Sequence, residues 1–380
     1  MKYRKFGKLD YQISALGFGC MRLPTRDNKP MSADIDEHAS IRLIRSAIDR
    51  GVNYIDTAYP YHNGNSEIVT GKALSDGYRD KVKLATKSPL WFVNSPGDFD
   101  KFLNEQLKKL QTDHIDFYLM HGLDKKKWEN TVLKLGLLEK AEAAIKDGRI
   151  GHLGFSFHDG HASFKPIVDG YNRWEFCQIQ YNYMDTENQA GTEGLRYAAG
   201  KGLAVIVMEP LLGGRLSIPP PEVRKVFDKY GDKRSPSQWA LQWVWSQSEV
   251  TSLLSGMNSM DQLDENLHAA DVLSAKPLLP ADLEFIGRVR AAYLQRAAVP
   301  CTKCGYCLPC PQNVNIPGVI ELYNNGVIYD DMAISHFIYS RYFPENERAN
   351  ACTECGQCEE KCPQGIKPGK LMKTIHEKLK

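Results

Sequence analysis

Eight of the ten cysteines in this sequence fall between Cys301 and Cys362; Cys20 and Cys177 are the others. The first run reads Cys301-Thr-Lys-Cys304-Gly-Tyr-Cys307-Leu-Pro-Cys310-Pro311, and the second Cys352-Thr-Glu-Cys355-Gly-Gln-Cys358-Glu-Glu-Lys-Cys362-Pro363. An iron–sulfur cube takes one thiolate per iron. Three cysteines spaced by two residues wrap three of its corners, and the cysteine that precedes proline reaches a second cube. The pattern assigns Cys301, Cys304, Cys307 and Cys362 to one [4Fe–4S] cluster and Cys352, Cys355, Cys358 and Cys310 to another. The first run departs slightly, with two residues rather than three before its last cysteine. The competing reading is structural zinc on all-cysteine tetrahedra, for which two cysteine pairs per ion suffice. Two runs that each carry four close cysteines and end in Cys-Pro fit the cubes better.

A second group of residues could do carbonyl chemistry. Asp56 opens the stretch Asp56-Thr-Ala-Tyr-Pro-Tyr61, Lys87 closes Leu-Ala-Thr-Lys87, and His121 closes Asp-Phe-Tyr-Leu-Met-His121. Hydride addition to a carbonyl needs a proton for the developing alkoxide, and a tyrosine supplies it if its pKa, ordinarily near ~10, is lowered. A neighbouring ammonium favours the phenolate, a carboxylate keeps that ammonium charged, and a histidine orients and polarises the carbonyl oxygen. Singly, each residue has an ordinary structural reading. Together, at the ends of successive apolar runs, they form a set.

The elements that must position these groups are legible as alternation. Apolar, β-branched runs occur at Leu16–Met21, Val52–Ala58, Val82–Lys87, Ile115–His121, Ile150–Phe157, Phe176–Asn182, Leu203–Pro210 and Ser252–Met257, as expected of strands buried on both faces. Amphipathic stretches lie between them, among them Asp36–Arg50, Phe99–Leu110 and Glu129–Asp147. Eight strand–helix repeats in about 260 residues predict an α/β fold of the (β/α)8 TIM-barrel type. A doubly wound sheet would need a Gly-x-Gly-x-x-Gly turn, and the chain has none. The cysteines then belong to a small, mainly α-helical ferredoxin-like domain. A linker helix, Ala281–Ala298, and helical stretches Val319–Tyr323 and Met332–Tyr342 precede or separate its motifs. The expected division is 1–276 and 277–380.

The barrel half resembles the aldo/keto reductase family, whose tetrad of Asp, Tyr, Lys and His occurs here in order as Asp56, Tyr61, Lys87 and His121. The resemblance covers residues 1–270 and implies a nicotinamide cofactor, NADP(H) or NAD(H), and a small carbonyl substrate. It carries cofactor contacts to Gly19-Cys20-Met21, to Ser156 and Gln178 at the carboxamide, and to Met208 beside the nicotinamide, where barrel packing is the equal alternative. Phe157 stands where the family usually has Asn, so His158 is its candidate substitute. The stretch Ser255–Asn266 resembles the adenosine-phosphate loop, with Gly256, Asn258, Gln262, Glu265 and Asn266 as candidates. NADPH-preferring members carry Lys and Arg at the positions of Gly256 and Gln262. Their loss brings NAD, or a flavin phosphate, into contention. The last eighty residues resemble the α-helical ferredoxin type.

The expected function is carbonyl reduction by hydride from NAD(P)H. A cluster accepts one electron where hydride carries two, so a second hypothesis adds a flavin and a redox partner protein, with the clusters as a relay. A third makes the clusters staples for a small domain. A formal charge of +2, with 42% hydrophobic and 25% charged residues, gives no footprint for nucleic acid or an anionic membrane. No run of eighteen apolar residues suggests a span and no leader follows Met1, so the expected location is cytoplasmic. Lys125–Lys127 reads as a solvated loop, Trp239, Trp243 and Trp245 as barrel packing, and His62 as either pocket lining or solvent-facing.

Overall fold

The computed structural model describes every residue, Met1–Lys380. Two short antiparallel strands, β1 (Tyr3–Lys5) and β2 (Gln12–Ser14), precede eight parallel strands. These are β3 (Leu16–Gly19), β4 (Tyr54–Asp56), β5 (Lys83–Ser88), β6 (Ile115–Leu123), β7 (Ile150–Phe157), β8 (Phe176–Gln180), β9 (Ala204–Met208) and β10 (Val250–Ser255). They close in sequence order, with β10 pairing β3, into the (β/α)8 barrel that the alternation predicts. The intervening helices cover the outside because their apolar residues fall on one face. In Glu37–Asp49, for example, Leu43, Ile44, Ala47 and Ile48 are buried. Asp36 caps that helix through the amide of Ala39 (3.0 Å), and Gly51, at φ +96, turns the chain back toward β4.

The β1–β2 hairpin has no counterpart in the sequence reading, because Tyr-Arg-Lys and Gln-Ile-Ser lack an apolar run. Its turn inserts Phe6 among the strand starts, 4.5 Å from Phe117 and 5.6 Å from Phe176 between ring centroids. Phe6 and Ile13 thereby join Tyr54, Ala85, Ala204 and Leu254 in a dry plug of the barrel's N-terminal end. Polar residues are left for the other end. The helix expected over Glu129–Asp147 is broken instead: a wide turn over Trp128–Leu133 gives way to helix Leu137–Lys146 across Gly136, at φ +62.

A second compact unit comprises Gly214–Pro236 and Leu279–Lys380. The boundary therefore differs from a single cut near Pro277. Helix Pro221–Tyr230 follows β9 in sequence, yet Tyr230 stacks on Phe285 (4.0 Å, 13°), Arg234 pairs with Asp282 (2.8 Å) and Arg296 with Glu222. The linker helix spans Pro280–Leu294, and Ile316–Ile328, Met332–Arg341 and Pro368–Leu379 complete the helices around the cysteine loops. Their core, including Val319, Ile320, Tyr339, Met372 and Ile375, is small, and the half-buried cysteines pack against its edge.

Candidate active site and cysteine loops

Asp56 ends β4, Lys87 lies one residue from the end of β5, and His121 lies in the last turn-ward part of β6, so all three emerge at the C-terminal mouth. The Lys87 ammonium is fully buried and bonds the Asp56 carboxylate (Oδ1, 2.6 Å), the Thr57 carbonyl (2.7 Å) and the Tyr61 hydroxyl (3.4 Å). Gln178 donates to the other oxygen of Asp56 at 3.1 Å. The His121 ring meets that of Tyr61 edge-on, with centroids 6.0 Å apart at 83°. The β6–β7 ladder shifts register between Met120 and Leu123, beside Gly122 at φ +61, and the Gly122 amide bonds Ser156 Oγ at 2.8 Å. This irregularity re-aims His121 out of the strand's regular alternation.

Tyr61 is held by an unusual backbone. His62 (φ 52), Asn63 (φ 54) and Gly64 (φ 92) are consecutive left-handed residues, a conformation that costs non-glycine residues energy and persists where packing enforces it. His62 supplies part of that enforcement. It is buried rather than pocket-lining or solvated, and its Nδ1 bonds the Ser32 carbonyl at 2.7 Å.

The electrostatics correct one expectation. Burial is the largest influence on Tyr61 and pushes its pKa up; Lys87 opposes this without reversing it. Tyr61 therefore stays a phenol at neutral pH. Burial disfavours the Lys87 charge, but the Asp56 carboxylate and the Tyr61 hydroxyl together outweigh it, and the ammonium persists. His121 is held well below its ordinary value by burial and then by Lys87, so its imidazole is neutral. Its Nδ1 is buried with no partner in the protein.

Several neighbours were not visible to sequence reasoning. Gln106 bonds the Lys87 carbonyl (3.0 Å), Glu67 (2.6 Å) and the Tyr118 hydroxyl (2.7 Å), bracing β5 from behind. Trp91, 43% exposed, lies 4.7 Å from the His121 ring and forms a wall of the mouth. A short Pro-Leu-Trp-Phe stretch, beginning two residues after Lys87, was the available signal for it. His158 stands exposed at the rim.

The expected cofactor residues divide into two groups. Gly19, Met21, Met208, Ser156 and Gln178 lie at strand ends around the mouth, with Met21 and Met208 half-buried. Cys20 shapes its loop from behind: its thiol is buried against Thr70, pushed up to about 12 by burial, and its carbonyl accepts from Ser66 (2.8 Å). The second group follows β10. Ser259 caps helix Met260–Leu273 through the Gln262 amide (3.3 Å), Gln262 Oε1 accepts from the Asn258 amide (3.0 Å), and Asn266 bonds Ser255 (2.8 Å). Gly256 and Asn258 are exposed, and Glu265 is half-buried in the first turns of the helix. Gln262 thus clamps its own loop. Lys125–Lys127 forms one short helical turn rather than a loop, with Lys125 and Lys127 paired to Glu129 and Asp124, and Trp239, Trp243 and Trp245 are buried.

The two cysteine runs repeat each other's backbone. Lys303 and Gly305 take φ 58 and 78, and Glu354 and Gly356 take φ 56 and 78. Each Cys-x-x-Cys-Gly turn therefore curls around a hollow. One hollow is lined by Cys301, Cys304, Cys307 and Cys362. The other is lined by Cys310, Cys352, Cys355 and Cys358, with Cys307 on their common wall. No three metal-binding side chains converge as a single ion would require.

Comparison with known proteins agrees with both halves. Residues 15–277 match the model of the aldo/keto reductase family, and residues 300–366 match a 4Fe-4S dicluster domain. The uncharacterized oxidoreductase YrpG of Bacillus subtilis is 27% identical over 320 residues, covering 73% of this chain and 94% of that protein. The probable aldo-keto reductase 1 of Glycine max is 26% identical over 311 residues, covering 72% and 86%. Among solved structures, the holo form of aldo-keto reductase AKR11C1 from Bacillus halodurans superposes with a TM-score of 0.63 at 27% identity, covering 76% of this chain and 96% of that one. No helix is long and apolar enough to cross a membrane. The chain is an oxidoreductase with an iron–sulfur domain, and it belongs to the aldo/keto reductase family.

Proposed function

We propose that the barrel reduces a small aldehyde or ketone by hydride transfer from NADPH or NADH, with Tyr61 as proton donor. The observation that carries this is the buried chain Asp56–Lys87–Tyr61 ending beside a neutral His121. The residues fit a nicotinamide cofactor: strand-end Gly19, the half-buried Met208, and the amide and hydroxyl of Gln178 and Ser156 surround one mouth. When bound, that cofactor supplies the hydride. The protein's own part is the proton. A carbonyl oxygen placed between Tyr61 and His121 receives a hydrogen bond from each, and Tyr61 passes it the phenolic proton as the alkoxide develops. Burial keeps that proton on Tyr61 until it is needed, and the Lys87 ammonium stabilises the phenolate left behind. Asp56 keeps Lys87 charged, and Trp91 shields the site from one side.

We assign two [4Fe–4S] clusters to the two hollows, in the sets Cys301, Cys304, Cys307, Cys362 and Cys310, Cys352, Cys355, Cys358. Four thiolates spread around each hollow suit a cube better than a point-like ion. When bound, such clusters carry single electrons, which leaves the relay reading, with a flavin or a redox partner, as the second hypothesis. The lack of a cation at Gly256 and Gln262 favours it modestly.

The test is Tyr61→Phe in the full chain. Aldehyde-dependent oxidation of NADPH or NADH is expected to fall by about 100- to 10,000-fold, the usual weight of a positioned acid, with iron content unchanged. Wild-type turnover in that variant would sink the assignment. Bleaching of the visible absorbance by NADPH or NADH alone would promote the relay.

A further inference from the structure

The loops that follow the last two barrel strands are where barrels of this kind build phosphate sites. Here those loops contribute Gly213 and Gly256; the β10 loop carries no cation, and Arg215 in the β9 loop is engaged by Asp331 (3.3 Å). A cation reaches them from elsewhere. Arg22 closes the short turn Cys20–Arg22 after β3, the first barrel strand. Its aliphatic stem lies across Gly256, so that a Cβ built there would sit 3.3–3.4 Å from Cβ, Cγ and Cδ of Arg22. Its guanidinium extends to Gly213, where a built Cβ would lie 3.0 Å from Nη2. Gly213 also needs its left-handed φ of +68. Side chains at these two positions would crowd the arginine out.

The guanidinium has no hydrogen bond or ion pair within the chain. A carboxylate oxygen of Glu209 lies 3.6 Å from the same built Cβ, yet Glu209 forms no ion pair with Arg22. A half-buried arginine, seated by two glycines and left with five unused donors, is prepared for a planar or branched anion. We propose that Arg22 is the phosphate clamp of this barrel's nucleotide cofactor, delivered from the first loop across Gly256 in place of a cation on the last. This rests on the reading that the barrel binds such a cofactor, and it explains how the β10 loop can lack the cations of NADPH-preferring relatives.

Calorimetric titration of the full-length wild type, Arg22→Gln and Arg22→Lys with NADPH, NADH, FMN and inorganic pyrophosphate tests it. Arg22→Gln should weaken binding by about 10- to 100-fold, the weight of a charge-assisted contact. Arg22→Lys should retain most of the affinity, and thermal stability should be unchanged in both. Equal loss for NADH and NADPH would assign Arg22 to the pyrophosphate, and loss for NADPH alone to the 2′-phosphate; either supports the proposal. Wild-type affinity of Arg22→Gln for every ligand the wild type binds overturns it. If the wild type binds neither nicotinamide nucleotide, the dinucleotide reading fails. Arg22 is then judged on FMN and pyrophosphate, and undiminished or absent binding of both overturns the proposal.

Discussion

Lys87, in the barrel, is fixed by oxygens from Asp56, Thr57 and Tyr61, and Gln106 and Gln178 brace its neighbours in turn. Cys304 and Cys355, in the C-terminal unit, are exposed, and the other six cluster cysteines are half-buried against a core of only a dozen side chains. In the first site the polar groups Asp56, Lys87 and Tyr61 are bonded to one another. The second is two loops whose cysteines line two hollows, the places proposed above for the clusters. The barrel buries enough apolar surface to hold charged residues at its mouth. The cysteine loops lie at the edge of a small core, where metal–thiolate bonding is the usual staple. A change in the barrel site should therefore register as lost chemistry or lost folding energy, whereas a change in the loops should register as lost metal.

The sharpest break of that contrast concerns the cysteine pairing. Cys310→Ala and Cys355→Ala should each remove about half of the iron, one cluster of two. Because both serve the same hollow, the double variant should lose no more than either single one. Additive depletion in iron assays would overturn the pairing. The next effect in size lies in the barrel. Lys87→Met strands the buried Asp56 carboxylate and should cost about 3–5 kcal/mol of stability in denaturant melts, with absorbance of the clusters intact. Burial already raises the Asp56 pKa. The deficit should shrink as pH falls, because the stranded group then takes up a proton.

Smaller effects sharpen the comparison further. The Tyr339 hydroxyl accepts from the Ala349 amide (2.9 Å) and bonds His376 (2.9 Å) in the C-terminal core. Tyr339→Phe should cost roughly 1–3 kcal/mol and increase the rate of iron loss to chelator, while aldehyde reduction by the barrel is unchanged. The smallest effect is a slope. His121 stays neutral when folded, whereas the unfolded chain protonates it below about pH 6.5. The unfolded state then binds the extra proton, so stability should decline as pH drops below that value. His121→Gln should flatten the decline in thermal melts at pH 5 to 7 relative to wild type. An unchanged slope would show that other groups, His62 among them, carry it.

Much of this was readable from the chain because it depends on local pattern. Eight apolar runs alternating with amphipathic stretches specify a closed parallel barrel, since strands buried on both faces and helices buried on one admit few other packings. The cysteine spacing proposes two sets of four thiols; Cys301, Cys304, Cys307 and Cys362 line one hollow, Cys310, Cys352, Cys355 and Cys358 the other, and Cys307 borders both. The hairpin plug escaped because its strands are three residues long and carry no apolar alternation. Helix Pro221–Tyr230 escaped because nothing in its sequence says which unit its apolar face will join.

Residue types and spacing alone determined the family resemblance, the barrel, and the candidate groups Asp56, Tyr61, Lys87 and His121. Only the tertiary structure decided how those groups behave. The expectation that Lys87 lowers the Tyr61 pKa follows from charge alone; burial, a property of the assembled mouth, outweighs it and leaves the phenol protonated. The β10 loop carries no cation of its own, and only folding brings Arg22, more than two hundred residues earlier, across Gly256. Local sequence sets which groups a chain owns. Desolvation and long-range proximity set what they do, and both exist only once the barrel has closed.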